Sequence, residues 1–147
     1  MQQMVLSTTF REPEVNWQAL ADLIERAGLS QRDPEVLKRA YHHSQFVWFG
    51  YVDGKLMATA HAISDRTYAS YLSDVIVDAA WQGLGYGGQL MDSIMKTLAP
   101  CGKVFIYSMP DKISFYQKLG YASLTTGMIY AEGKALLRLQ EKGFVTK

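Results

Sequence analysis

Apolar positions along the chain change period part-way, and that change divides it into elements. Trp17, Leu20, Ile24 and Ala27 recur at helical spacing, with Asn16 placed to cap the start and Gly28 to close the end. Asp33-Pro34-Glu35 marks a second helix start: a capping carboxylate, a proline at the first position, and an acid near the positive end of the helix dipole. Val36, Leu37, Ala40 and Tyr41 then form one face. From there the spacing suits strands. Residues 46–52 and 55–63 flank Asp53-Gly54 and predict a β-hairpin with a tight primed turn. A further strand is expected over 69–77, followed by a glycine-rich turn and a helix bearing Leu90, Met91, Ile94, Met95 and Leu98, stopped by Pro100. Residues 104–107 predict a short buried strand, and Asp111 a helix cap for a segment running to Leu119 and closed by Gly120. Residues 121–124 and 128–130 predict two last strands, and 4–8 a weak first one. The order β-α-α-β-β-β-α-β-α-β-β describes a mixed α/β sheet, and 132–143 predicts a terminal helix.

Composition narrows the function classes. A chain of 147 residues with 48% hydrophobic and 20% charged positions is expected to be one globular domain spanning 1–147. Lys and Arg number 15 against 14 Asp and Glu, a formal net charge of +1. That balance offers no electrostatic reason to expect nucleic acid or a membrane surface as partner. Cys101 is the single cysteine, so no intramolecular disulfide and no cysteine-rich metal site can be built, and no metal is expected. No run approaches the ~18–20 apolar residues of a membrane span. The first residues lack the basic and apolar regions of a signal peptide. The expectation is a soluble protein of a reducing compartment, the cytoplasm.

Chemistry concentrates between residues 71 and 91. A strand ends there, and Gln82-Gly83-Leu84-Gly85-Tyr86-Gly87-Gly88 leads into a helix. Helix N-termini expose unpaired N–H groups and the positive end of the dipole, and glycines let a ligand approach the backbone closely. The segment therefore suits a pyrophosphate; the plainer alternative is a tight turn that lets helix and sheet pack closely. No G-x-x-x-x-G-K-[S/T] phosphate loop is present. Gly83, Gly85 and Gly88 do satisfy G-x-G-x-x-G, but a dinucleotide fingerprint belongs in the first βα turn with an acid about 20 residues on. This run lies past the midpoint, and the acid beyond the next expected strand, Asp111, is too distant.

Gln82-x-x-Gly85-x-Gly87 matches the Q/R-x-x-G-x-G/A signature of the GNAT superfamily of acyl-CoA N-acyltransferases, and Phe115-Tyr116-Gln117-Lys118-Leu119-Gly120-Tyr121 resembles its F-Y-x-K-L-G-F/Y segment. Gly54-Lys55-Leu56-Met57-Ala58 is similar to the family's entry into its third strand, and residues 72–78 look like its fourth. The resemblance spans about 4–130, leaving 131–147 as a C-terminal helical extension. It implies an α/β (α+β) fold: a mixed, mostly antiparallel sheet of about seven strands with four helices, and a cleft where strands four and five splay apart.

The resemblance also implies roles. Acetyl-CoA would be the cosubstrate. Backbone groups of Val75, Ile76 and Val77 would bond its pantetheine amides, and N–H groups of Gln82, Gly83, Leu84, Gly85, Tyr86, Gly87 and Gly88 would hold its pyrophosphate. Gln82 stands where the family often has Arg, which removes one fixed charge. Tyr116 would protonate the departing thiolate; the plainer alternative is a packing aromatic, with Phe115 the more core-like of the two. The base stays open between Asp74, His61 and water, since Tyr71 occupies the position where the histone-type branch carries Glu. Strict strand alternation would place Tyr71, Ser73, Val75 and Val77 on one face and Leu72, Asp74, Ile76 and Asp78 on the other. His42 and His43 suit a helix C-terminus. Trp48, Phe49, Tyr51, Tyr68 and Tyr71 would either line an acceptor pocket or pack the sheet.

The expected activity is transfer of an acetyl group to the primary amine of a small molecule. A protein Lys or N-terminal acetyltransferase and a non-catalytic acyl-CoA-binding module remain alternatives. The resemblance allows a homodimer.

Overall fold

A computed structural model describes residues 2–146. Two compact units make up the chain, one reaching Ile106 and the other beginning at Tyr107.

In the first unit, helices α1 (Trp17–Arg26) and α2 (Pro34–His42) begin as their caps dictate. The Asn16 side chain accepts from the Ala19 N–H, and Asp33 accepts from those of Glu35 and Val36. The five strands are β1 (Val5–Ser7), β2 (Phe46–Val52), β3 (Lys55–Ser64), β4 (Ala69–Val77) and β5 (Lys103–Phe105), with α3 (Tyr86–Leu98) between the last two. They lie side by side in chain order, antiparallel except for the parallel β4–β5 pair. The expected hairpin forms with β2 and β3 on either side of Asp53-Gly54.

One sheet face packs against α1 and α2: Val47, Phe49, Tyr51 and Ile76 join Leu20, Leu23, Ile24, Leu37 and Tyr41 in a single buried cluster. Trp48, Ala58, Ala60, Ala62 and Leu72 are buried on the other face, and the helix α3 buries Leu90, Met91, Ile94 and Leu98. Fully burying a Leu or Ile side chain is worth about 1.5–3 kcal/mol, so these two layers supply the unit's main cohesion.

The expected alternation along β4 does not hold. Thr59 pairs with Ile76 and His61 with Ser73, so Asp74 and Val75 together oppose Ala60. Asp74 has φ +51°. The extra residue is a β-bulge, and it reverses the side-chain parity of the strand. Ile76 and Ser73 therefore share the α1/α2 face with Thr59 and His61, whereas Leu72 points to the opposite face with Ala62.

The second unit holds α4 (Ile113–Lys118) and α5 (Gly133–Glu141), the latter being the expected extension, so the described chain has five α-helices rather than four. Asp111 lies within a short 3-10 turn, Pro110–Lys112, and does not cap α4. Residues 121–124 and 128–130 form no strands, so the described sheet has five strands rather than seven. Their alternation expresses a propensity that becomes a strand only where a ladder partner exists. Met128 and Tyr130 are almost wholly exposed.

Gly102 has φ +96°, and a Cβ there would stand 2.3 Å from the Tyr68 carbonyl oxygen, just where β5 joins the sheet. Gly102→Ala is expected to cost about 2 kcal/mol or more by urea denaturation. Gly88→Ala, on a helix and meeting nothing within 4 Å, is expected to leave stability unchanged or raised.

Candidate active site

The β4 strand is paired along most of its length with β3, but with β5 only through Ala69, Ser70 and Tyr71. Beyond the Tyr71–Phe105 pair, its second edge, residues 72–77, has no strand partner among the described residues. That edge contains Val75, Ile76 and Val77 and leads directly into the glycine turn. Asp78 ends the strand, its side chain accepting from the Ala80 N–H and pairing with Arg26 at 2.9 Å.

Gln82 folds back: its Nε2 donates to the Val77 carbonyl at 2.9 Å, and its N–H donates to that of Ala79 at 3.4 Å. That N–H is thus engaged within the turn, unlike the free donor expected of it. Gly83 and Gly85 take φ +80° and +88°, which non-glycine residues adopt at a cost. A Cβ at Gly83, Gly85 or Gly88 would meet nothing within 4 Å, so open space lies over this turn. The helix α3 starts at Tyr86, and Gln89 is the first N–H to reach back one turn, to the Gly85 oxygen at 3.1 Å. Helix geometry leaves the N–H groups of Tyr86, Gly87 and Gly88 without intrahelical acceptors. Leu84 is exposed at the turn's tip. Tyr86 is buried and donates its hydroxyl to the Gln2 carbonyl, while Gln89 Nε2 donates to that of Met4. The start of α3 is thereby tied to the β1 segment. These features fit an anion with three or more acceptor oxygens.

The bulge carries a polar network. Both Asp74 oxygens accept from Arg32, at 2.9 Å and 3.2 Å, and Oδ2 also meets His61 Nε2 at 2.8 Å. Arg32 Nε donates to Ser30 Oγ at 2.7 Å. His61 Nδ1 lies 2.8 Å from Ser44 Oγ, which itself donates to the Ala40 carbonyl at 3.0 Å. The hydroxyl has one hydrogen: while it goes to that carbonyl the oxygen can still accept from an Nδ1–H, and if it goes to Nδ1 the carbonyl loses it. Tyr41 holds its ring 4.2 Å from that of His61, tilted by 31°, and bonds Thr59 Oγ1 at 2.8 Å; Thr59 in turn donates to the Trp48 carbonyl.

Burial opposes ionisation of Asp74, but hydrogen bonds and charge from His61 and Arg32 outweigh it and hold the carboxyl at about 2. A group so far below neutrality is a poor proton acceptor. Burial and the Asp74 charge push Tyr41 far above the usual phenol range.

Sequence reasoning singled out Asp74 and His61 separately, and the structure joins them. Arg32 and Ser44 were missed: Arg32 lies in an irregular connection and Ser44 just past a helix, where no periodicity marks them. Trp48, Phe49 and Tyr51 are buried packing residues, whereas Tyr68 and Tyr71 are exposed. His43 bonds the Arg39 carbonyl through Nδ1 at 2.8 Å, as a helix C-terminus favours.

In the second unit, Tyr116 is buried and Phe115 less so, the reverse of the expected pair. Burial, reinforced by Tyr121, pushes the Tyr116 phenol up to about 12, so it keeps its proton at neutral pH. The two rings meet edge to face at 5.5 Å.

Asp74→Asn is expected to cost about 2 kcal/mol at neutral pH. Because the folded-state value lies below the ordinary 3.8, this contribution is complete above about pH 4 and is lost as pH falls through about 2. Urea titrations of both proteins are expected to converge across that window.

Among the described residues, no helix is long and apolar enough to cross a membrane, and no cluster of three or more His, Cys, Asp or Glu could hold a metal ion. Residues 14–121 match the model of the Acetyltransferase (GNAT) family. The chain is 33% identical over 110 residues to Serotonin N-acetyltransferase 2, chloroplastic, of Oryza sativa subsp. japonica, covering 71% of this chain and 55% of that protein. It spans 55–65% of the length of this and two other curated relatives. A "Probable Acetyltransferase" of meticillin-resistant Staphylococcus aureus superposes with a TM-score of 0.78 at 19% identity, covering 89% of this chain and all of that one. An aminoglycoside N-acetyltransferase in complex with CoA superposes with a TM-score of 0.69 at 13% identity, covering 90% of this chain and 96% of the other. At these identities the superpositions show a shared fold, and the match over 14–121 shows the family: the chain belongs to the GNAT acetyltransferases.

Proposed function

We propose that the protein is an N-acetyltransferase that moves an acetyl group from acetyl-CoA to the primary amine of a small molecule. The observation that carries this reading is the β4 edge over 72–77, which has no strand partner among the described residues, running into an open glycine turn at a helix start. An extended pantetheine arm is a ready partner for such an edge, because its amides can donate and accept as a strand does. In this reading the backbone of Val75, Ile76 and Val77 bonds the arm, and the N–H groups of Gly83, Leu84, Gly85, Tyr86, Gly87 and Gly88 hold the pyrophosphate. Gln82 supports the turn through its bond to Val77. The similarity to a serotonin acetyltransferase supports a small-molecule acceptor.

The amine nitrogen attacks the thioester carbonyl, the C–N bond forms, and the C–S bond breaks as the tetrahedral intermediate collapses. Tyr116, which keeps its phenolic proton at neutral pH, gives it to the thiolate and is reprotonated from solvent. The ammonium loses its surplus proton to water. Asp74 stays ionised at every working pH, and its role is to hold His61 and Arg32 in place.

Calorimetric titration with acetyl-CoA, followed by thiol release in the presence of amines, tests the proposal. Saturable binding with amine-dependent thiol release is expected; binding without turnover on any amine would favour a sensing module. Gly85→Asp places a carboxylate over the turn and is expected to weaken acetyl-CoA binding at least about tenfold. Tyr116→Phe is expected to lower kcat on the order of 10²-fold with acetyl-CoA affinity little changed. Unaltered kcat would remove Tyr116 from the chemistry.

A further inference from the structure

The sheet face shared with α1 and α2 is closed at one end and open at the other. Along β3 on this face, Thr59 is wholly buried and His61 nearly so, while Ile63 is 55% exposed. Along β4, Ile76 is buried, Ser73 half-buried and Tyr71 37% exposed. Register sets Ile63 beside Tyr71 and Tyr71 beside Phe105, which is 41% exposed. Opposed residues of neighbouring strands point to the same face, so the three form one apolar row across β3, β4 and β5. With strands about 4.8 Å apart, the row is roughly 10 Å long. It ends at the Tyr71–Phe105 pair, the last before β4 and β5 part.

Asp74 and Asp65 lie near this row with oxygens hydrogen-bonded, and a lysine shares its face. Asp74 borders it, but both its oxygens are taken by Arg32 and His61. Asp65, at the end of β3, spends Oδ1 on the N–H groups of Thr67, Tyr68 and Ala69. Lys103 lies two residues from Phe105, on the same face of β5. An acceptor with a second ammonium would therefore find Lys103 beside the row and no carboxylate in it.

We propose that the row Ile63–Tyr71–Phe105 seats the acceptor, and that it selects primary monoamines with an aryl or branched-alkyl body over polyamines and lysine-bearing peptides. This rests on the acetyltransferase reading above. The apolar body covers the row, which leaves water, and the single amine points to the fork of β4 and β5, where the thioester would lie. Ile63, Tyr71 and Phe105 are thus specificity residues.

The test compares phenethylamine, spermidine and a lysine-containing peptide as acceptors, followed by thiol release at one pH and saturating acetyl-CoA. The wild-type protein is expected to favour phenethylamine in kcat/KM on the order of tenfold or more. Ile63→Glu, at a position exposed enough to accept it, is expected to lower kcat/KM for phenethylamine and raise it for spermidine. Ile63→Thr, which keeps the β-branched shape, is expected to lower the first without raising the second. Preference of the wild type for spermidine or the peptide would overturn this acceptor class and leave the acetyltransferase reading standing. A parallel loss on all acceptors in Ile63→Glu would overturn the row as the seat. Thiol release with none of the amines would overturn the acetyltransferase reading and this inference with it.

Discussion

Asp74 is held in a left-handed backbone conformation that residues other than Gly, Asn and Asp rarely adopt, and the bulge exists because its side chain is secured from two directions. Arg32 reaches it from the connection between α1 and α2, and His61 from the neighbouring strand. A buried carboxylate would by itself be costly; two cationic or hydrogen-bonding partners in good geometry offset that cost. Three segments distant in sequence are thereby fastened at one point. The bulge re-aims every side chain beyond it, which sends Ile76 into the α1/α2 core and leaves Leu72 for the opposite layer.

The same point divides the sheet face. On one side of the Asp74–His61 pair lie Thr59, Phe49 and Tyr41 in a closed, hydrogen-bonded and stacked interior. On the other side the face opens onto Ile63, Tyr71 and Phe105. Polar residues at such a boundary terminate the dry core without leaving an unsatisfied charge inside it. The ladder between β4 and β5 ends beside this boundary, so an open apolar floor adjoins a backbone edge that has no strand partner among the described residues. Backbone atoms suit the invariant part of a thioester donor, and side chains suit an acceptor that varies between relatives.

Most of the first unit was legible from local patterns. Asn16 and Asp33 cap the helices they were expected to cap, and Asp53-Gly54 turns the hairpin, because caps and turns depend on neighbours within a few residues. The glycine turn was visible for the same reason. Residues 121–130 have the composition of strands and form none, because a strand needs a partner that composition does not specify. The order of burial in Phe115 and Tyr116 was reversed, since apolarity alone does not say which residue faces inward.

The sequence by itself determined where the first two helices begin, where the hairpin turns, that a glycine-rich turn follows β4, and which family these motifs signal. Each is written in contiguous residues whose interactions are short-ranged. Only the tertiary structure decided that Arg32 and Ser44 belong with His61 and Asp74, and that β4 changes parity at a bulge. It also decided that its pairing with β5 stops after three residues. The physical reason is common to all three: each depends on contacts between segments about a dozen or more residues apart, and period-two alternation carries no record of a single inserted residue until the partner strand sets the register.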